Sequence, residues 1–188
     1  MGDFVAALQK RGVEMTYGSA GAGSGSHLAS ELLLARLKLR ATHVPFPGFP
    51  QAVTAIVGGQ IEGGFVVPSV AKGLIESGKL RAIGLSSSSR FTGMSTVEPI
   101  QSTLKVGQFD IEVWNAVVAP KSMSAETVKN LSQAVSESIR SPENRIKLDA
   151  QGWRAVGGPP EALALRAQLD TQVLSRVVSD LQLSLESK

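Results

Sequence analysis

The stretch Tyr17-Gly18-Ser19-Ala20-Gly21-Ala22-Gly23-Ser24-Gly25-Ser26-His27-Leu28-Ala29-Ser30-Glu31-Leu32 decides how this chain is read. It opens in a short strand, Glu14 to Gly18, and closes in a helix, His27 to Lys38, in which Leu28, Leu32, Ala35 and Leu39 recur at helical spacing. Every residue from position 18 to 26 is Gly, Ala or Ser. A loop of small residues that feeds a helix presents several backbone N–H groups at the positive end of the helix dipole. Without bulky side chains, an anion can approach that backbone closely. Ser19, Ser24 and Ser26 add hydroxyl donors. The pattern therefore suits a carboxylate, phosphate or sulfate, and it equally describes a plain strand-to-helix turn with a serine cap.

Three sharper motifs fail on these residues. Glycines at 18, 21, 23 and 25 do not reproduce G-x-G-x-x-G, and the following strand ends in His43-Val44-Pro45-Phe46 with no acid for a ribose. A phosphate loop needs Gly-Lys-Ser/Thr, which is absent. A nucleophile elbow needs glycine two places either side of the serine, whereas Ser24 has Ala22 and Ser26 there.

Working outward, strand and helix patterns alternate with short connections. Ala41 to Phe46 reads as a strand, Phe49 to Val57 as a helix stopped by Gly58-Gly59, and Glu62 to Val67 as a strand apolar on both faces. Val70 to Glu76 reads as a helix and Leu80 to Leu85 as a further buried strand. A helix, Asp3 to Lys10, precedes them. This succession predicts an α/β fold with a mainly parallel sheet covered by helices. Ser86 to Gly107, rich in Ser and Thr, reads as a surface excursion. Ile111 to Ala119 reads as a strand, and Trp153 to Val156 as a short one. Ser124 and Ser141 are placed to cap two helices, the second with Pro142 at its first position, and Glu161 to Leu183 reads as a long final helix.

Composition narrows the function. Of 188 residues, 43% are apolar and 19% charged, enough to bury a core. The net charge of +3 is spread without a basic block, which argues against nucleic acid and fits attraction of small anions. Cysteine is absent, which excludes disulfides and thiolate metal sites. Two separated histidines, His27 and His43, make no metal cluster, and no cofactor fingerprint is present. No leader is visible behind Met1, and no apolar run approaches the ~20 residues of a membrane helix.

Five ordered segments carry a resemblance: Tyr17 to Ser24 with His27-Leu28-Ala29 and Glu31-Leu32; His43 to Gly48; Gly58-Gly59-Gln60-Ile61-Glu62; Ser77 to Ile83; and Trp114 with Val118-Ala119-Pro120. Together they resemble the Bug-type periplasmic solute receptors of tripartite tricarboxylate transporters (TctC-like). The resemblance implies a type II periplasmic-binding-protein-like α/β fold, with one near-complete lobe plus the C-terminal part of a second. Residues 1–110 would be ligand-binding lobe two, 111–120 a hinge return strand, and 121–188 the C-terminal part of lobe one. It implies a periplasmic receptor, without chemistry or cofactor, that hands a small carboxylate to membrane transporter subunits. Ser19, Ala20, Gly21, Gly23, Ser24, His27, Phe46, Gly48, Val66 and Val67 would contact the ligand. For His27 a local hydrogen bond to the loop competes with ligand contact. Members of the family usually carry an Asp after the phenylalanine that ends the third strand. Here Val66-Val67 follows Phe65, which favours an apolar acid over an amino acid.

Family members also carry about a hundred residues ahead of the point where this chain begins. Apolar faces at Leu131, Val135, Ile139, Leu163, Leu169, Val173 and Val177 are then expected to lie uncovered. A longer chain, a truncated gene or a homodimer would each account for that. A shortened paralogue acting as a non-binding interaction module is the alternative function.

Overall fold

In the computed structural model, residues 1–182 are described. A parallel sheet of order β2-β1-β3 stands at the centre. Strand β1 spans Thr16–Ser19, β2 Thr42–Pro45 and β3 Gly63–Gly64. Registers run Tyr17 against His43 and Ser19 against Pro45 on one side, and Gly18 against Gly64 on the other. Pro45, which has no N–H to give, sits on the edge strand, where the missing donor costs least. Gly64 is dictated by closeness: a Cβ there would fall 2.4 Å from the Gly18 carbonyl oxygen. At the start of β1, the Glu62 carboxylate takes the Thr16 N–H at 2.7 Å and pairs with Arg11 at 2.6 Å. The Thr16 hydrogen bonds, helped by Arg11, pull its carboxyl down to about 2.

The helices follow the sequence closely. Helix α1 is Gly2–Arg11, α2 Gly25–Leu37, α3 Phe49–Val57 and α4 Pro68–Glu76. A short α5, Ile100–Thr103, precedes α6 Ala125–Arg140, α7 Pro142–Ala150 and α8 Pro160–Asp180. Ser124 and Ser141 cap α6 and α7 by accepting from the Thr127 and Asn144 N–H groups. Leu183, the expected end of the last helix, lies outside the described residues. Lys38 closes α2 in the left-handed region at φ 55, and Gly59 does the same service after α3 at φ 69.

Helix α2 divides the core. One cluster gathers Ala29, Leu33, Ile100, Val106, Phe109 and Ile111; a second gathers Leu8, Met15, Tyr17 and Leu34. The first cluster corrects an expectation. Ser86 to Gly107 is not a surface excursion, because Phe91, Val97, Ile100 and Val106 within it are buried, and Phe109 just beyond is 0% exposed. Val177 is likewise buried, and α8 packs on α2, so the far end of that apolar face is covered.

Four strand expectations change too. Glu62 to Val67 shrinks to the two residues of β3. Leu80 to Leu85 keeps one isolated bridge, Leu85 to Pro99. Ile111 to Ala119 and Trp153 to Val156 form no strand. The reason is common to all: an apolar run reports burial, whereas a strand also needs a neighbour at hydrogen-bonding distance. Ile111 N–H still finds the Ser86 carbonyl at 3.0 Å, but no backbone bond joins Glu112–Ala119 to the rest of the described residues. Val117 and Val118 are exposed there. An open cavity of about 1980 Å³ separates this segment and the apolar sides of α6 and α8 from the sheet.

Candidate functional site at the start of the second helix

Chain order and sheet order together place the site. From β1 the chain crosses to β2 through α2, then returns past β1 to β3 through α3. The carboxyl ends of β1 and β3 flank the point where the sheet order reverses, and there open α/β sheets bind ligands. The loop Ala20–Ser24 leaves β1 at that point, and Phe65-Val66-Val67 leaves β3. Gly25, Ser26, Val66 and Val67 all line the large cavity, with Ser86 and Trp114 across from them.

The loop is folded by its own polar groups. Ser19 is wholly buried. Its Oγ accepts the Gly21 N–H at 3.2 Å and lies 2.7 Å from His43 Nε2. Ala20 N–H donates to Ser26 Oγ at 3.0 Å, and Gly23 N–H donates to His27 Nδ1 at 3.0 Å. Ser24 N–H closes a turn on the Gly21 carbonyl at 3.2 Å. Gly23 stands third in that turn at φ 74, a left-handed value that favours glycine. Ser24 is the N-cap of α2, its Oγ accepting the His27 N–H at 3.3 Å and touching Ser26 Oγ at 2.9 Å.

What remains is specific. The N–H groups of Ala22, Gly25 and Ser26 have no acceptor among the described residues. Gly25 and Ser26 are the first two residues of a 13-residue helix, so their N–H groups carry the positive end of its dipole. The cradle is narrower than the sequence suggested, because the amides of Ala20, Gly21, Gly23 and Ser24 are spoken for. Ser19 works from behind the loop rather than facing outward. Ala22, Gly25 and Ser26 were not among the expected contacts. The signal that would have found them is Ser24 as N-cap, which moves the helix start from His27 to Gly25.

Phe46 sits under the loop: its N–H donates to the Ser19 carbonyl at 3.0 Å, and its own carbonyl lies 3.6 Å from where a Gly21 Cβ would be. Gly48 does not itself line the cavity; it is the N-cap of α3, directly before Phe49, which does. The His27 and His43 rings stack at 4.0 Å and 11° below the loop. Burial pushes both below the usual histidine range, His43 to about 4, while Glu31 pulls His27 partly back. The Tyr17 ring stacks on His43 at 5.0 Å and its hydroxyl donates to the Glu31 carboxylate. Burial first, then that bond, holds the Tyr17 hydroxyl protonated, its pKa well above the usual tyrosine range.

Across the cavity, Glu112 pairs with Arg166 at 3.3 Å and Arg154 at 3.8 Å, and Trp114 Nε1–H donates to Asp170 at 2.7 Å. The Arg166 and Asp170 contacts tie this segment to α8. No group of three His, Cys, Asp or Glu could hold a metal among the described residues, and no helix there is long and apolar enough to cross a membrane.

The profile of the tripartite tricarboxylate transporter family receptor matches residues 1–180. The chain belongs to the tripartite tricarboxylate transporter receptor family. Among relatives, a protein encoded in the tcbD-tcbE intergenic region of a Pseudomonas species is 29% identical over 173 residues, covering 91% of this chain and 51% of that protein. Among solved structures, the R. palustris protein Rpa4515 with adipate is similar at TM-score 0.88 and 22% identity, over 97% of this chain and 60% of that one. MatC from Rhodopseudomonas palustris with bound malate is similar at TM-score 0.74 and 26% identity, over 96% and 61%. The chain therefore spans about half the length of that Pseudomonas relative and three-fifths of those structures, and the fold it shares with them is the α/β fold of periplasmic binding proteins. The receptor family is one of solute-binding proteins.

Proposed function

We propose that this chain is the ligand-gripping part of a non-enzymatic periplasmic receptor that captures a small carboxylate for a membrane transporter. One observation carries the reading: three N–H groups, those of Ala22, Gly25 and Ser26, stand free at the start of a 13-residue helix beside the switch point of the sheet. A carboxylate has two oxygens to offer them, and charge-assisted bonds of this kind are the strong ones. In this reading Ala22, Gly25 and Ser26 bind directly. Ala20, Gly21, Gly23 and Ser24 shape the loop, and Ser19, His27, Phe46 and Gly48 support it from below and beside. Val66 and Val67 meet the body of the ligand, so an acid with an apolar middle is favoured over an amino acid. The bound adipate and malate of the two structural relatives support the carboxylate class. They lend nothing to a non-binding module.

The reading divides the chain into lobe two at 1–110, a hinge segment at 111–120, and a lobe-one portion at 121–188. The apolar walls of the cavity are then given to a covering surface, a second copy of this chain being the simplest. A monomeric mass by sedimentation equilibrium at tens of micromolar removes that copy from the proposal.

Calorimetry and thermal shift with adipate, malate and shorter mono- and dicarboxylates test the function. Binding without turnover is expected, with a stabilisation of about 3–4 kcal/mol at a hundred- to thousandfold excess over Kd. No response to any acid in the set overturns it.

A further inference from the structure

The chain's two histidines come from different elements, His27 from the first turn of α2 and His43 from β2, yet they stack face to face directly beneath the loop. One meets the loop itself and the other the last residue of β1. His27 Nδ1 accepts from Gly23 N–H at 3.0 Å, and His43 Nε2 meets Ser19 Oγ at 2.7 Å, which in turn accepts from Gly21 N–H. His27 thus turns the Gly23 amide inward, and Ser19, held against His43, does the same for Gly21. The amides left without acceptors, Ala22, Gly25 and Ser26, are the ones that can face a ligand.

The donor in the first bond fixes a protonation state. A backbone N–H can only donate, so His27 Nδ1 must offer a lone pair, and the ring carries its proton on Nε2. Adding a proton to Nδ1 would place two donors head to head. It would also set a positive ring 4.0 Å from the second imidazole.

We propose that His27 is a positioning residue for carboxylate binding, acting with His43 as a neutral pair that sets which loop amides face outward, and that protonation of His27 dismantles the cradle. This rests on the receptor reading above and adds to it a mechanism of acid release. The titratable groups around the pair are few: Tyr17 from β1, protonated and bonded to Glu31, and Glu31 itself from α2. Burial lowers the affinity of both rings for a proton, and Glu31 opposes this at His27. The pair is therefore neutral near pH 7, and the release falls on the acid side.

Asparagine supplies the key control. Its Oδ1 occupies the place of Nδ1 and accepts from Gly23, but it does not titrate. Adipate or malate affinity is measured by calorimetry from pH 4.5 to 8 on the wild type, His27→Asn and His27→Ala. Wild-type affinity is expected to fall by about tenfold per pH unit below the His27 titration, beyond any fall shown by His27→Asn with the same ligand. At pH 7.5, His27→Asn should bind within about threefold of wild type, and His27→Ala should bind at least tenfold more weakly. Equal pH profiles for wild type and His27→Asn, or full affinity in His27→Ala, overturn the proposal. A ligand-free readout separates this from failure of the receptor reading. Nitrogen NMR of the whole chain should show Nε2–H on His27 and a Gly23 amide shift that follows its titration. An Nδ1–H tautomer, or a Gly23 amide indifferent to that titration, sinks the histidine claim whether or not any acid binds.

Discussion

Consider replacing Gly25 with valine, and with alanine as its control. Gly25 is the first residue of α2 and its N–H has no acceptor. An added Cβ would meet only a Val113 methyl at 3.4 Å, an ordinary contact, and its φ is not positive. Folding should therefore tolerate the change. Alanine is favoured over glycine in helices by up to about 1 kcal/mol. The new side chain stands beside the Gly25 and Ser26 amides and fills the space an anion needs. A hydrogen bond to a charged group is worth about 1.5–3 kcal/mol. Losing two of the three costs about 3–6 kcal/mol, which is roughly a hundred- to ten-thousandfold in Kd at 1.4 kcal/mol per decade. Gly25→Val should thus keep its melting temperature within a few degrees and lose at least a hundredfold in affinity for whichever acid the wild type binds, with Gly25→Ala between the two. Calorimetry and circular dichroism on the same samples read both quantities. An undiminished affinity in a folded Gly25→Val would refute the assignment of the anion to this helix start.

Other perturbations test the scaffold. Gly64→Ala puts a methyl 2.4 Å from a backbone oxygen that has no room to retreat, so urea denaturation should show a loss of about 1–3 kcal/mol or more. Phe109→Ala empties the centre of the first core cluster and should cost about 3–5 kcal/mol by the same measurement; a change under 1 kcal/mol would return the 86–109 region to the surface. For acid stability, the His43 ring titrates near 4 in the folded chain against ~6.5 unfolded. As pH falls, the unfolded chain takes the proton first. Stability from this residue is thus intact above about pH 6.5 and drains away toward pH 4. Measured against His43→Gln, the wild-type advantage in unfolding free energy should shrink across that window; a constant difference contradicts the buried neutral ring.

Much of the fold was legible because local chemistry and tertiary structure agreed. Helix α3 was read to its residue, since Pro50 opens it and Gly58-Gly59 stops it whatever surrounds them. Ser124 and Ser141 announced their caps in the same way. The loop itself, with its lack of bulky side chains, was legible from its run of nine small residues. Which of its amides point outward was not, because that depends on Ser19, His27 and His43 meeting beneath it from three separate elements. Ser86 to Gly107 misled for a related reason: its serines dominate the composition, while Phe91, Val97, Ile100 and Val106 are too irregularly spaced to show a period.

The sequence by itself determined the alternation of elements, the helix caps, the family and the position of the small-residue loop, because each is written in neighbouring residues through propensity, capping and backbone freedom. Only the tertiary structure decided which apolar runs became strands and which N–H groups stayed free. Glu112 to Ala119 is as apolar as a strand should be, yet its backbone bonds to no other backbone among the described residues. The Gly23 amide looks as available as that of Ala22 until a histidine from the next helix turn accepts it. Both outcomes turn on hydrogen bonds, which need a partner at about 3 Å, and a residue's own neighbours in the chain do not reveal who that partner is.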